Sequence, residues 1–164
     1  MPLVKSGAVT ADPFVPTADD APLPQGPALI SADRLLREGE APAGRNGALG
    51  VVWPNARDVA ELAPLLSRLS LIALVFPKFR DGRAFSQARL LRERYGFTGE
   101  LRATGNVLRD QVLMMARAGF DAFEVEKPAD AEAFAAALGS YSVFYQPTGD
   151  GRPTAAAIRR AARG

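Results

Sequence analysis

The chain has 164 residues, 48% of them hydrophobic and 23% charged, with a formal net charge of +2. This is the composition of a single globular domain, able to bury roughly 70% of its unfolded surface, and not that of a disordered chain. It has no Cys and no His, which excludes thiolate-held iron–sulfur clusters, thiol redox centres, the usual zinc sites and any Ser-His-Asp or Cys-His mechanism within one chain.

Residues 1–47 hold seven of the thirteen Pro. Proline fixes φ and removes a ladder donor, so long elements are not expected there. Leu3 to Val9 is expected to form a short strand and Ala11 to Pro27 a Pro-rich arm, kept soluble by Asp12, Asp19 and Asp20. Ser31 has the side chain of an N-cap for a helix over Ala32 to Glu38, with Gly39 as its stop.

From Leu49 the pattern becomes regular. LGVVWP is an apolar strand. Asn55 is placed to cap a helix over Ala56 to Leu69, which Pro64 should kink. LIALVFP is a second apolar strand, followed by a helix over Arg83 to Tyr95. ELRAT is a strand, and Asn106 is placed to cap a helix over Val107 to Ala118 that Gly119 closes. AFEVE is a strand, Pro128 opens a helix over Ala129 to Leu138, and YSVFY is a last strand. Thr154 to Arg163 is expected to be a final Ala/Arg helix.

Strand–helix repeated about five times with short connections predicts an α/β domain with one mainly parallel sheet, doubly wound or half-barrel-like, preceded by the Pro-rich arm. Ile72, Leu74, Val75, Phe76, Leu101, Ala103, Phe123 and Val125 are its expected buried positions. Three parts follow: 1–47 with the N-terminal strand, arm and short helix packed on the domain, 48–147 as the α/β domain, and 148–164 as an Ala/Arg-rich extension. The first two strands of the α/β domain are apolar throughout, as when both faces are covered. The next two alternate, with Leu101, Ala103, Phe123 and Val125 on one face and Glu100, Arg102, Thr104, Glu124 and Glu126 on the other. A polar face of this kind lies at an edge, lines a barrel-like interior or meets a partner.

Charge is uneven along the chain. Residues 76–117 carry nine basic and four acidic side chains, and residues 118–150 one basic and six acidic. This suits internal pairing, a homodimer or an anion binder. A net of +2 makes no nucleic-acid footprint. No run approaches the ~20 apolar residues of a membrane span, and the N-terminus lacks the apolar core of a secretory signal, so the expected location is the cytoplasm.

Parallel α/β folds bind ligands beyond the carboxyl ends of their strands. The candidates there are Trp53, the PKFRDGR segment with Lys78, Arg80 and Arg83, and the TGNVLRDQ segment with Asn106 and Arg109. Cations beside a helix start suit a sulfate- or phosphate-sized oxyanion; capping, turn formation and surface pairing account for the same residues without a ligand. Arg102 beside Glu124 and Glu126 is either the charged floor of a site or a structural ion pair. Phosphate-loop, dinucleotide-fold, nucleophile-elbow and metalloprotease signatures are all missing, so no cofactor and no metal is expected.

The blocks FPKFRDGR, RLLRERYGF, ELRATGNVLRDQ and ARAGFDAFEV, in this order, resemble an uncharacterised, DUF-named bacterial family described as probable oxidoreductases involved in sulfite reduction. The likeness covers about Gly50 to Gln146, and the DPFVPTADDAPLP arm is similar too. Members are typically encoded beside an assimilatory sulfite reductase. The resemblance implies a role in sulfate assimilation and cysteine biosynthesis, with sulfite reductase or its electron donor as partner, and it carries no catalytic residue with it. The expected role is an accessory protein acting by contact. The alternative is a small enzyme or regulatory module that binds an anionic metabolite (sulfate, sulfite or a phosphate group) at the strand ends.

Overall fold

The computed structural model describes residues 1–39, 47–78, 80–139, 144–145, 148 and 153–163. The chain opens with a hairpin, not with one strand: β1 (Leu3–Lys5) and β2 (Ala8–Thr10) pair antiparallel. Ser6 and Gly7 turn the chain, both at positive φ (53° and 75°), as a two-residue hairpin with the strands' own twist requires. The segment expected to be an arm is part of the sheet, since Val15–Pro16 form β3, parallel to β4 (Ala28–Ser31). Pro16 lacks a ladder donor and sits where that is tolerated, on an edge strand.

The helix α1 (Ala32–Glu38) starts on the Ser31 side chain, which accepts from the Arg34 amide, and stops at Gly39. After β5 (Leu49–Trp53) the expected α-helix is a 3₁₀ helix, Val59–Arg68, containing Pro64. Its cap is Asp58, not Asn55: the Asp58 carboxylate accepts from the Ala60 amide. β6 (Leu71–Phe76) leads into α2 (Arg83–Arg89), which runs on as a π-turn, Leu90–Arg94. β7 (Glu100–Gly105) is followed by a short 3₁₀ turn, Arg109–Gln111, and α3 (Val112–Ala118), closed by Gly119 at φ 108°. This helix begins later than expected, and Asn106 does not cap it: Asn106 instead donates its backbone amide to the Phe76 carbonyl at 2.7 Å. β8 is Ala122–Glu124, α4 Pro128–Gly139 and α5 Ala155–Ala161, the last capped by the Thr154 hydroxyl. Of the expected strand YSVFY, Tyr141 to Val143 lie outside the described residues, and Phe144 makes a single parallel bridge to Thr154.

The strands form one sheet in the order β2-β1-β8-β7-β6-β5-β4-β3. β3 to β8 are all parallel and lie in chain order, so the mainly parallel expectation holds, in its half-barrel form. Chain length alone requires the curl. β2 and β3 sit at opposite edges of the eight strands, and seven inter-strand spacings cover about 34 Å on a flat sheet. The link from Thr10 to Val15 is five residue steps, which reach at most about 18 Å. The edges therefore turn toward each other, and residues 11–14 strap the open side.

Helices cover the outer face. Ile30, Val51, Trp53, Ile72, Leu74, Phe76, Leu101, Ala103, Phe123 and Val125 point outward into one core with Leu35, Ala84, Leu91, Met115 and Phe134 from the helices. Val75, expected buried, is partly exposed because it points inward. The inner face changes along the sheet. One row runs Leu29, Gly50, Leu71, Glu100 and the next Val52, Ala73, Arg102, Ala122, Lys5. It is thus apolar over β4 to β6, apart from Ser31 at the end of β4, and charged over β7, β8 and β1 through Glu100, Arg102, Glu124 and Lys5.

Candidate functional site

The predicted residues fall in three places. Trp53 closes β5 but turns outward into the core, where it is fully buried, with the Arg57 guanidinium 5.8 Å from its ring centre. It is a core residue and not part of the rim, and among the described residues its Nε1 has no hydrogen-bond partner.

Lys78, Arg80, Arg83, Asn106 and Arg109 lie on the rim, in the loops and first helical turns that follow the paired ends of β6 and β7 (Phe76 opposite Gly105). Arg83 is already engaged, donating through Nε and Nη2 to Asp81 at 2.9 and 2.6 Å. That bidentate contact, above all, holds the Asp81 carboxyl well below its ordinary range. Arg109 faces Asp110 at 3.9 Å, with both exposed. Lys78 and Arg80 are exposed and have no ion-pair partner among the described residues. The loops meet because the chain turns tightly at Gly105. Its φ is 88°, and a Cβ there would stand 2.6 Å from the Phe76 carbonyl oxygen, so glycine is what allows β7 to end against β6.

Arg102 is the third place and the most organised one. It lies on the inner face, with no exposed surface. Nε donates to Glu100 at 2.9 Å; Nη1 donates to Asp12 at 2.6 Å and to Glu124 at 3.2 Å; Nη2 donates to Asp12 at 2.9 Å. Lys5 Nζ donates to the other Glu100 oxygen at 2.7 Å, and the Thr104 hydroxyl to the other Glu124 oxygen at 2.5 Å. Burial opposes the Arg102 charge, and the Asp12 and Glu100 contacts outweigh it, so its pKa lies above the ordinary value. Burial likewise opposes the Asp12 carboxylate, and Arg102 and the Phe14 amide outweigh that, lowering its pKa. The expected pairing of Arg102 with Glu124 is present. Glu126 takes no part, because it lies beyond the end of β8 and is exposed.

Sequence reading missed Asp12. It reaches Arg102 from the strap, 90 residues away. The local signal is the turn in DPF, where Asp12 Oδ1 accepts from the Phe14 amide at 3.0 Å and Phe14 comes to lie 5.7 Å from the guanidinium. Arg92 was also missed. At the other end of the sheet it donates to the carbonyls of Gly119, Phe97 and Gly99 and to the Asp121 carboxylate, fastening the π-turn to the starts of β7 and β8. A groove of about 640 Å³ opens there, between the β1–β2 turn, α3 and α4.

Six parallel strands in chain order, helices outside and a charged interior under an N-terminal strap define a half-barrel α/β protein. The chain belongs to the family described as a bacterial protein of unknown function (DUF934), whose model matches residues 50–155. No curated protein matches it. The matched segment contains the rim loops and Arg102, Glu100 and Glu124; Asp12 and Lys5 precede it. Among the described residues no helix is long and apolar enough to cross a membrane.

Proposed function

We propose that this protein is an accessory component of assimilatory sulfite reduction, serving sulfur assimilation and cysteine supply in the cytoplasm by contact with sulfite reductase or its electron donor. The pathway rests on the sequence resemblance. The means of contact rests on one observation: Lys78 and Arg80 stand exposed on the rim with no ion-pair partner among the described residues, whereas Arg83, Arg92 and Arg102 are all spent on the protein's own carboxylates. Free cations on loops held by a rigid sheet steer an acidic partner into register. Arg109, exposed on the neighbouring loop, gives the second reading its support, in which the same rim holds the charged group of a small anionic metabolite.

Deletion of the gene tests the role. The strain should grow on cysteine and fail or slow on sulfate or sulfite. Complementation with the Lys78→Glu, Arg80→Glu double variant should leave that defect in place, while wild type removes it. Normal growth of the deletion strain on sulfate as sole sulfur source contradicts the accessory role.

A further inference from the structure

We propose that the inner face of the curled sheet is a binding site for a small monoanion that presents two oxygens to one guanidinium, a carboxylate or an oxyanion of similar reach, and that Asp12 occupies this site from within the chain. The proposal does not depend on the role in sulfite reduction.

Three donors define the site. Arg102 Nη1 and Nη2 take one Asp12 oxygen each, at 2.6 and 2.9 Å, and the Phe14 amide takes Oδ1 at 3.0 Å. This is the two-pronged geometry by which arginine selects carboxylates. The rest of the shell is built around the guanidinium and does not come from the strap. Glu100 and Glu124 accept from its remaining edges, and Lys5 and Thr104 hold those two carboxylates in turn. Without Asp12, the two cations (Arg102 and Lys5) balance the two glutamates, so a guest monoanion meets the same field that Asp12 meets now. The Asp12 side chain is also the most exposed of the three carboxylates on Arg102, 29% against 10% for Glu100 and 16% for Glu124. A guest can therefore reach the two Arg102 donors when the strap lifts, with the floor left in place; the Phe14 amide, itself on the strap, leaves with it.

The strap competes with any guest. A tethered carboxylate acts at an effective concentration on the order of millimolar or above, so the intact protein holds this site closed to weak free anions, and removal of the Asp12 carboxylate should open it.

The test is chemical rescue of the full chain. Asp12→Ser removes the carboxylate, leaves room beside Arg102 and keeps an oxygen for the Phe14 amide. Thermal unfolding is followed in formate, sulfite and chloride at equal ionic strength. A ligand bound only by the folded state raises Tm with the logarithm of its concentration. Asp12→Ser should show that rise in formate or sulfite and not in chloride, and wild type should show a much smaller one. Asp12→Ser with Arg102→Met should show none. If Asp12→Ser is unfolded in chloride, the folded fraction from circular dichroism is read against formate and sulfite concentration instead, and recovery of the fold supports the site. No response beyond chloride in either oxyanion overturns the proposal, as does an equal response in the Arg102→Met double variant.

Discussion

Replacing Arg102 by Met removes the buried charge of the interior while nearly keeping side-chain volume. It removes the common partner of Asp12, Glu100 and Glu124, and breaking a buried ion network from one side costs about 3–5 kcal/mol, because the charges left behind are uncompensated. The structure favours the lower end. Glu100 keeps Lys5 at 2.7 Å, Glu124 keeps the Thr104 hydroxyl, and Asp12 can lift toward water with the strap. A loss of about 3 kcal/mol corresponds to a fall in Tm of roughly 6–12 °C for a domain of this size. Urea unfolding at several pH values is the assay. In wild type the folded-state pKa of Asp12 is lowered, so its stabilisation is full above the unfolded pKa of about 3.9 and drains away as pH falls through the folded value. In the variant the burial that opposes the Asp12 carboxylate is no longer offset by Arg102, so its folded pKa rises; that variant is then most stable at low pH and loses stability as pH climbs through that value. The gap between the two proteins should therefore narrow from pH 7 toward pH 4. A loss below 1 kcal/mol at pH 7, or a gap of the same size at pH 4.5 and pH 7, refutes the account of the interior.

Three further outcomes follow from the same geometry. Gly105→Ala should cost over about 2 kcal/mol, since left-handed φ strains an L-residue by roughly 1–2 kcal/mol and its Cβ would also press on the Phe76 carbonyl; Gly96→Ala, at φ 64° with open space around it, should cost only the strain, and equal losses in the two variants would contradict the close approach. Arg92→Met should lower Tm and speed amide exchange at Gly99–Leu101 and Gly119–Asp121, which it ties together; unchanged exchange there would show that the fastening does not matter. Lys78→Glu with Arg80→Glu should shift Tm by no more than about 1–2 °C, because exposed, unpaired charges contribute little to stability; a large drop would mean that the rim is structural.

The order of elements was legible because parallel strands and their crossover helices carry it in local pattern. The inward face of β7 and β8 was legible for the same reason, since alternation at Leu101 to Thr104 sorts the side chains before any fold is known. What failed was whatever depends on distance or on competing local geometry. Asp12 carries no mark of Arg102, because a partner 90 residues away is chosen by the closure of the sheet and not by its neighbours. The strap looked like an arm since Pro-rich sequence excludes long strands, yet two residues, Val15 and Pro16, suffice to make an edge. Asn55 and Asp58 are both competent caps, and the chain uses the later one because it turns once more after Pro54, with the Arg57 amide bonded to the Pro54 carbonyl. Arg83 looked available to a ligand, but Asp81, two residues before it, reaches it first.

The central claim, contact with the sulfite-reducing system through the rim, is tested most directly by binding of the purified chain to purified sulfite reductase and to its electron donor, measured by biolayer interferometry at low and high salt. The account predicts saturable binding to one of them. Exposed charges are screened over ~8–10 Å at 0.10–0.15 M salt, so that binding should weaken several-fold as salt rises and should be lost in the Lys78→Glu, Arg80→Glu variant. Absence of binding to both proteins, or binding that neither salt nor the charge reversal alters, would contradict it.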